Sequence, residues 1–338
     1  MGKVRIGMIG AGVHATNMLY PSLEHLSDLV ERVAVCDLVE GKARVAARDH
    51  GFEKTHTDYR RMLEAEHLDG VIICLNAQLH PAVVIDCLER GVDVLVEKPI
   101  AVTVEEARRV EDAARRLKRI VMVEHQKRYS KAYLRAMDLV RRPSFGPITM
   151  IECKMHGRPY ETLLNLFLEW HSHGIDLVRA FGGDVKRVTA TAKDMGALNR
   201  AAVAAIVEFT SGAVGTLNLG SEGGFGRFCE RLEVIGSNWS GVIVENARDV
   251  ISYDHDAKDY YEHNTAREWR QDWLPMHQNF THAMDGYVGM IRTFTQSITS
   301  RVPAPPSAED ERKALEIIHE IVRQIDMPAE WKYVGSDY

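Results

Sequence analysis

The residues VRIGMIGAGVHA, positions 4–15, indicate the fold of the N-terminal part of this chain. They read as a β-strand followed at once by Gly10-x-Gly12-x-x-Ala15 and then by a helical pattern. The first glycine permits a tight turn, the second lets a pyrophosphate approach the backbone, and the small third residue lets helix and strand pack closely. Because a helix N-terminus also favours an anion, this segment predicts a dinucleotide-binding site.

The residues near this motif favour NAD as the cofactor. Asp37 ends the next apolar run, RVAVCD, where a carboxylate accepts hydrogen bonds from ribose hydroxyls and repels a 2′-phosphate. The two residues after Asp37 are leucine and valine, so no arginine is present for that phosphate, and NADP is less favoured. We expect Val13 and His14, inside the motif, to line the same pocket.

Five apolar runs separated by helical patterns occupy residues 1–124. The runs are KVRIGMIG, RVAVCD, LDGVIICL, VDVLVEK and RIVMVEH. Before the helical pattern 104–117, Thr103 and Glu106 have the spacing of a capping box. Because the apolar runs are continuous rather than alternating, they predict a doubly wound parallel sheet covered on both faces. Residues 1–124 are therefore expected to form a Rossmann domain in an α/β arrangement.

Residues 125–338 predict a second, α+β domain for substrate binding and oligomerisation. A long helix is expected from about residue 162 to residue 181, and six strand patterns follow one another over 185–254. Strands in direct succession favour a large, open and mostly antiparallel sheet. Residues 255–277 show no period and are expected to form a long loop. Two final helices close the chain and are expected to pack back on the N-terminal domain.

Composition excludes several classes of partner. The 338 residues are 45% hydrophobic and 27% charged, with a formal net charge of −6, which disfavours nucleic acid. No apolar run approaches the ~20 residues of a membrane helix. The five cysteines are scattered and show no C-x-x-C pair, so a reduced, cytoplasmic protein without a membrane partner is expected.

Two segments carry a family resemblance. Residues 71–107 contain a strand ending in Cys-Leu-Asn, a helix, and a second strand ending in Glu-Lys-Pro; residues 125–133 read HQKRYSKAY. These features resemble the glucose–fructose oxidoreductase/inositol dehydrogenase/rhizopine-catabolism (Gfo/Idh/MocA) family, with Gln126 where asparagine is commoner. The resemblance spans nearly the whole chain. It implies a cofactor pocket that includes Leu75, Asn76, His80, Glu97, Lys98 and Gln126.

Lys98 is also notable without the resemblance. It follows a parallel strand at its carboxyl end, where open α/β sheets bind ligands, and the next residue, Pro99, favours an extended backbone. The alternative is a surface lysine next to a solvated glutamate. The resemblance implies that Lys98 reaches the reacting hydroxyl of the substrate near the nicotinamide.

The segment EWHSHGID, residues 169–176, contains two histidines and two acids. On a regular helix, Glu169, His173 and Asp176 share one face, whereas His171 is about 200° from His173. The two imidazoles therefore cannot share a metal ion, and no metal site is predicted, with His156 the sole nearby candidate ligand.

A carboxylate beside His173 would raise the basicity of its ring and fix its tautomer, as suits a general base. The resemblance implies that Glu169 and His173 are catalytic, with glutamate where aspartate is commoner. For His171 a packed histidine is favoured over a substrate contact or a subunit contact.

The resemblance implies hydride transfer between a secondary alcohol of a sugar, sugar derivative or cyclitol and NAD. Candidate substrate ligands are Arg128, His156, Arg158, Asp176, Trp273 and His277. The segment around the last two could equally be a subunit contact or a lid.

Two other functions stay open. One is NAD-dependent glycoside cleavage through transient oxidation and elimination; the other is a non-catalytic NAD-binding regulator, which typically lacks the catalytic lysine or histidine. The open sheet would expose a large apolar face that needs cover. The resemblance implies that this face is covered by sheet-to-sheet pairing, so we expect a homodimer or homotetramer that pairs through the C-terminal sheet.

Overall fold

A computed structural model describes residues 2–194, 201–223, 229–255, 266–271 and 282–326. Its N-terminal part contains six strands: β1 (Val4–Ile9), β2 (Val30–Cys36), β3 (Lys54–His56), β4 (Gly70–Ile73), β5 (Asp93–Glu97) and β6 (Val121–Glu124). They form one parallel sheet in the order β3-β2-β1-β4-β5-β6. The predicted doubly wound sheet is confirmed. The short strand β3 was not predicted, because an exposed edge strand lacks an apolar run.

Five helices connect these strands: α1 (Tyr20–Glu24), α2 (Glu40–His50), α3 (Tyr59–Ala65), α4 (His80–Glu89) and α5 (Val104–Leu117). The first is preceded by one π-helical turn, Ala15–Leu19. At the start of α5, Thr103 Oγ1 accepts a hydrogen bond from the backbone N–H of Glu106 at 3.2 Å and donates one to its carboxylate at 2.9 Å. The predicted capping interaction is present, and it fixes where α5 begins.

The second part of the chain is built on an eight-stranded sheet. Its strands are β7 (Ile148–His156), β8 (Val185–Asp194), β9 (Ala201–Phe209), β10 (Val214–Gly220), β11 (Cys229–Gly236), β12 (Gly241–Glu245), β13 (Asp249–His255) and β14 (Ala266–Gln271). The order is β14-β13-β12-β11-β7-β10-β9-β8, and among the described strands of this sheet only β7 and β10 pair in parallel. The predicted open, mostly antiparallel sheet is confirmed.

Strand β14 corrects the expected loop over 255–277. Ala266–Gln271 pairs antiparallel with β13 along six residues. Its sequence, AREWRQ, is polar because it is the edge strand and its one large apolar residue, Trp269, is 64% exposed. Hydrophobic periodicity therefore gave no signal for this strand.

The remaining helices are α6 (Lys131–Val140), α7 (Leu163–Leu166), α8 (Ser172–Gly182), α9 (Tyr287–Ser300) and α10 (Ala308–Asp326). Helix α9 packs on the N-terminal sheet, where Gly70 leaves room for the side chains of Phe294 and Ile298. Helix α10 lies against α5, α8 and β8 and so contacts both parts of the chain. No helix in the described part of the chain is long and apolar enough to cross a membrane.

Candidate active site

The glycine turn after β1 has the geometry that its sequence predicts. Gly10 has φ +107°, and a Cβ there would collide with the carbonyl oxygen of Cys74 at the end of β4. A Cβ on Gly12 would meet nothing within 4 Å, so this side of the turn is open. Ala15 is fully buried, which allows the close helix–strand packing that the motif requires. The turn thus offers space and backbone for a pyrophosphate.

Asp37 is fixed beside this turn. One carboxylate oxygen accepts a hydrogen bond from the backbone N–H of Ala11 and the other from that of Val39, both at 2.8 Å. Val13 and Leu38 flank the turn with side chains that are 79% and 88% exposed. An open anion cradle, a fixed carboxylate and exposed apolar side chains together fit the phosphates, ribose and base of a dinucleotide.

His80 joins two turns at the carboxyl edge of the parallel sheet. Its Nδ1 contacts the carbonyl oxygen of Pro99 at 2.8 Å, and its Nε2 accepts a hydrogen bond from the backbone N–H of Leu75 at 3.4 Å. The ring is 1% exposed, and burial lowers its pKa. We expected His80 to contact the cofactor, but both ring nitrogens have protein partners. His80 therefore ties the turn at Leu75, next to the exposed Asn76, to the turn at Pro99, and its predicted contact with the cofactor stays a prediction.

Two carboxylates lie side by side where β5 and β6 end, because Glu97 and Glu124 are paired residues of neighbouring strands. Glu97 accepts a hydrogen bond from Cys74 Sγ at 3.1 Å, and Glu124 contacts Nε2 of His14 at 2.7 Å. Burial, followed by the charge of Glu124, raises the pKa of Glu97. Burial opposes a charge on His14, yet its hydrogen bond and attraction to Glu124 raise its pKa. Gln126 follows in the next turn, beyond β6.

Lys98 reaches across to the helical segment of the second domain. Its Nζ donates to the carbonyl oxygen of Glu169 at 2.6 Å and to the carboxylate of the same residue at 3.0 Å. The side chain of Lys98 is 10% exposed. Glu169 lies in a π-helical segment, Phe167–His171, that joins α7 to α8, and such segments often occur at functional sites. Lys98 and Glu169, both candidate site residues, are thus in direct contact, although this pairing was not predicted.

His173, in the first turn of α8, differs from the expectation in one respect. It is 8% exposed, and its Nδ1 has no hydrogen-bond partner in the part of the chain that the structure describes. Burial, together with the charges of Lys98 and Lys127, lowers its pKa well below the usual 6.5. We expected two flanking carboxylates to raise the basicity of this ring. The π-helical segment changes the helical phase, and Glu169 pairs with Lys98 instead.

Asp176 and Arg128 pair with each other. Arg128 Nε and Nη2 donate to the two carboxylate oxygens of Asp176 at 2.7 and 2.6 Å, and the two residues are 8% and 1% exposed. Burial opposes the charge on Asp176, but the charges of Arg128 and His125 lower its pKa. Each side chain is held by the other in a buried bidentate pair, and their predicted contact with substrate stays a prediction.

The other predicted substrate residues are scattered. His156, at the end of β7, has Nε2 2.8 Å from Asn218 Oδ1, and the exposed Arg158 lies over the ring of Tyr160. Trp273 and His277 lie outside the described residues. His171 is fully buried with its ring 5.0 Å from that of Phe167, so it is a packed histidine, as expected. Burial, then the charge of His156, lowers the pKa of His171 to about 3.

Sequence reasoning missed Glu124, Lys127 and His125. Glu124 ends the apolar run VMVE as Glu97 ends VLVE, so the strand-end rule that selected Glu97 could have found it. Lys127 and His125 had no comparable signal, since their partners are distant in sequence. Among the described residues, no group of three or more His, Cys, Asp or Glu side chains could hold a metal ion.

Comparison with known proteins gives two family matches that together span most of the chain. Residues 4–125 match the family described as an oxidoreductase family with an NAD-binding Rossmann fold. Residues 133–240 match the GFO/IDH/MocA C-terminal domain. These two regions correspond to the parallel sheet and to the first strands of the second sheet.

Three similar proteins have named functions or solved structures. Myo-inositol 2-dehydrogenase of Thermotoga maritima is 24% identical over 329 residues, which are 92% of this chain and 93% of that protein. Glycosyl hydrolase family 109 protein 1 of Akkermansia muciniphila is 26% identical over 157 residues, 44% of this chain and 32% of that protein. The crystal structure of a dehydrogenase from Chromobacterium violaceum has a TM-score of 0.87 at 22% identity and covers 96% of both chains. That likeness supports the fold.

Proposed function

This chain belongs to the GFO/IDH/MocA family of NAD-binding oxidoreductases, and from that premise we propose that it oxidises a secondary alcohol of a sugar, sugar derivative or cyclitol. The observation that carries the proposal is the contact of Lys98 with Glu169 beside a buried His173. This contact joins the carboxyl edge of the nucleotide-binding sheet to the π-helical segment that leads into α8. A substrate held between them would face the cofactor cradle of the glycine turn.

His173 is the proposed general base. Its lowered pKa keeps the ring neutral at pH 7, and a neutral imidazole can accept the hydroxyl proton of an alcohol. Its burial also limits the access of water, which strengthens the electrostatic interactions at the reacting centre. NAD⁺, when bound, accepts the hydride at its nicotinamide ring.

Lys98 is proposed to orient the hydroxyl and stabilise the developing alkoxide. An ammonium group has three N–H donors. Lys98 donates two hydrogen bonds to Glu169, one to its carbonyl oxygen and one to its carboxylate. The third donor is left for a substrate oxygen. The cationic group supplies charge stabilisation where the alcohol loses its proton, and Glu169 holds it in place.

A polyol substrate is supported by the balance of charges near His173. Lys98 pairs with Glu169, and Lys127 pairs with Glu230 at 2.5 Å. Paired lysines and carboxylates offer hydrogen-bond donors and acceptors without a large net charge, which suits a neutral molecule rich in hydroxyls. The likeness to a myo-inositol dehydrogenase along nearly the full chain is in keeping with this class.

Glycoside cleavage is the second candidate. The partial match to a glycosyl hydrolase family 109 protein favours it, and the same base could serve an oxidation that is reversed after elimination. The two functions differ in the fate of the cofactor. A dehydrogenase accumulates NADH, whereas a glycosidase of this kind returns NAD⁺ at the end of each cycle.

The test is to incubate the protein with NAD⁺ and a panel of hexoses, pentoses, inositols and aryl glycosides, and to follow NADH absorbance and release of the aglycone together. We expect NADH to accumulate with at least one free polyol. Release of the aglycone without net NADH would establish the second candidate, and no reaction with any member would contradict both.

A further inference from the structure

Four buried ionisable side chains form a cluster next to His173, and one of them, His125, contacts its ring. His125 directly follows β6, and Arg128 lies in the short 3₁₀ turn after it. Asp176 is on α8, and Glu311 is on the C-terminal helix α10. Their exposed fractions are 0%, 8%, 1% and 1%, respectively. Neither His125 nor Glu311 has a place in the reaction described above, and both are too deeply buried to contact solvent.

The contacts within this cluster assign a partner to each charge. Arg128 and Asp176 form the bidentate pair. Glu311 Oε2 lies 2.6 Å from His125 Nε2, while His125 Nδ1 is 3.9 Å from Asp176 Oδ2. A buried carboxylate is costly unless a cation compensates it. With His125 as imidazolium, the cluster holds two cations and two anions and is neutral overall.

His125 also meets the proposed catalytic base. The ring centroids of His125 and His173 are 5.6 Å apart and the ring planes are at 88°, an edge-to-face contact. A fixed cation at this distance disfavours a second positive charge on His173. It also limits rotation of the His173 ring, because both side chains are packed in the interior.

We propose that His125 is a positioning residue for His173: held by Glu311, its imidazolium keeps the neighbouring ring neutral and fixed in orientation, ready to accept a proton. The inference rests on the proposed role of His173 as base. It gives α10, the last described helix of the chain, a function at the active site, because this helix supplies the carboxylate that keeps His125 charged.

The other charged groups around the two rings are consistent with this assignment. Burial opposes a charge on His125, yet Asp176 and Glu311 raise its pKa, against a smaller opposing effect of Arg128. Burial lowers the pKa of His173, and Lys98, Lys127, His125 and His14 lower it further.

The direct test is NMR spectroscopy of the NAD⁺-bound protein labelled with ¹⁵N at histidine, titrated between about pH 4.5 and about pH 8. At about pH 7 we expect both ring nitrogens of His125 to carry protons and only one ring nitrogen of His173 to do so. This measurement uses the unaltered protein and needs no substrate. A failure to find a substrate therefore leaves it interpretable, and a neutral His125 would overturn the proposal.

Two variants and one control extend the test. Glu311→Gln keeps a hydrogen-bonding side chain but removes its charge, and His125→Phe keeps a ring but removes the cation. In both, the midpoint for protonation of His173 should rise by up to about 2 pH units, the effect of one charge at this separation with an effective dielectric constant of about 20. Glu316→Gln, on the same helix but partly exposed and paired with Arg312, should leave both histidines unchanged. If Glu311→Gln and His125→Phe both fold and the His173 midpoint stays in place, His125 has only a structural role and the proposal is wrong.

Discussion

The ammonium group of Lys98 and the imidazole of His173 depend on their surroundings in opposite ways. Lys98 is fixed by two acceptors of one residue, Glu169, so the direction of its ammonium group is set. His173 has no acceptor at Nδ1 within the described chain and lies near several cations, so its charge is suppressed. A charged donor beside a neutral acceptor is the arrangement that removal of an alcohol proton requires.

The first prediction at this scale concerns Lys98. Replacing it by methionine keeps the length of the side chain but removes the charge that would stabilise an alkoxide, so kcat should fall by about 10² to 10³-fold. Binding of NAD⁺ should change little, as measured by titration of protein fluorescence. Lys131→Met, an exposed lysine at the start of α6, is the matched control and should retain full activity. Equal activity of the two variants would exclude Lys98 from the reaction.

The second prediction concerns pH. Because the folded-state pKa of His173 is depressed, the neutral, active form is already complete at the usual histidine pKa of 6.5 and is lost only at lower pH. The acid limb of kcat/KM should therefore have its midpoint below pH 6.5, with no change attributable to this group near pH 7. A midpoint at or above 6.5 would contradict the assignment of His173 as a buried neutral base.

The strand end and the family resemblance selected Lys98, Glu169 and His173, whose roles stay predictions. Local spacing misplaced Glu169 relative to His173, because the π-helical segment changes the helical phase. Local spacing was also not sufficient for the pair Arg128–Asp176 or for His80. Their partners lie on other elements, and both residues of the ion pair are buried. A polar residue in a sequence does not reveal whether a protein group or a ligand will satisfy it.

At the level of elements, the turn between β1 and the first helical segment contains two glycines that are needed for different reasons. Gly10 is required by the fold, since any Cβ there would meet the backbone of Cys74. Gly12 is not required by the fold, because the space next to it is free. If the motif binds a pyrophosphate, glycine is needed at position 12 only because a side chain there would occupy the space of the ligand.

Gly12→Ala should therefore fold normally and bind NAD⁺ more weakly. We expect an unfolding midpoint close to that of the unaltered protein and a Kd for NAD⁺ raised at least about tenfold, a loss of about 1.4 kcal/mol. Calorimetric titration and thermal denaturation measure the two quantities. Gly41→Ala, in α2 with equally free space around it, is the control and should change neither cofactor binding nor activity. Unchanged affinity of Gly12→Ala would place the pyrophosphate elsewhere.

Periodicity identified the elements with a buried face and failed for three others, one of which is the short, exposed edge strand β3. The capping residues of α5 and the strand run over 185–254 were predicted because caps and alternating apolar residues leave a local pattern. Strand β14 was missed because its side chains are polar at a sheet edge. The π-helical segment Phe167–His171 was missed because one extra residue per turn leaves no local mark and follows from tertiary contacts.

On the scale of the whole molecule, the eight-stranded sheet leaves one face outward. On β9, buried and exposed residues alternate, and the outward positions are Ala202, Ala204 and Ile206, the last 61% exposed. Small residues beside an exposed isoleucine allow another surface to approach closely. We propose that copies of this chain associate through this face, as the resemblance implied.

Ile206→Glu should weaken that association. A charge in the middle of an apolar interface is costly to desolvate, so the variant should shift from dimer or tetramer towards monomer. Size-exclusion chromatography with light scattering measures the mass. Val45→Glu, an exposed valine on α2 of the N-terminal part, should keep the mass of the unaltered protein. If the unaltered protein is a monomer, or if Ile206→Glu has the same mass as the control, the outward face is not the interface.

The central claim, that this chain moves a hydride from a polyol carbon to NAD⁺ with Lys98 and His173 at the reacting hydroxyl, has one direct test. The panel member that reduces NAD⁺ fastest is prepared with deuterium at its carbinol carbons, and the cofactor is recovered and analysed by mass spectrometry and NMR. The account predicts deuterium at C4 of the reduced nicotinamide, with the yield reduced by about 10²-fold or more in Lys98→Met and His173→Asn. Deuterium lost to water without labelled NADH, or the same labelling in both variants, would contradict it.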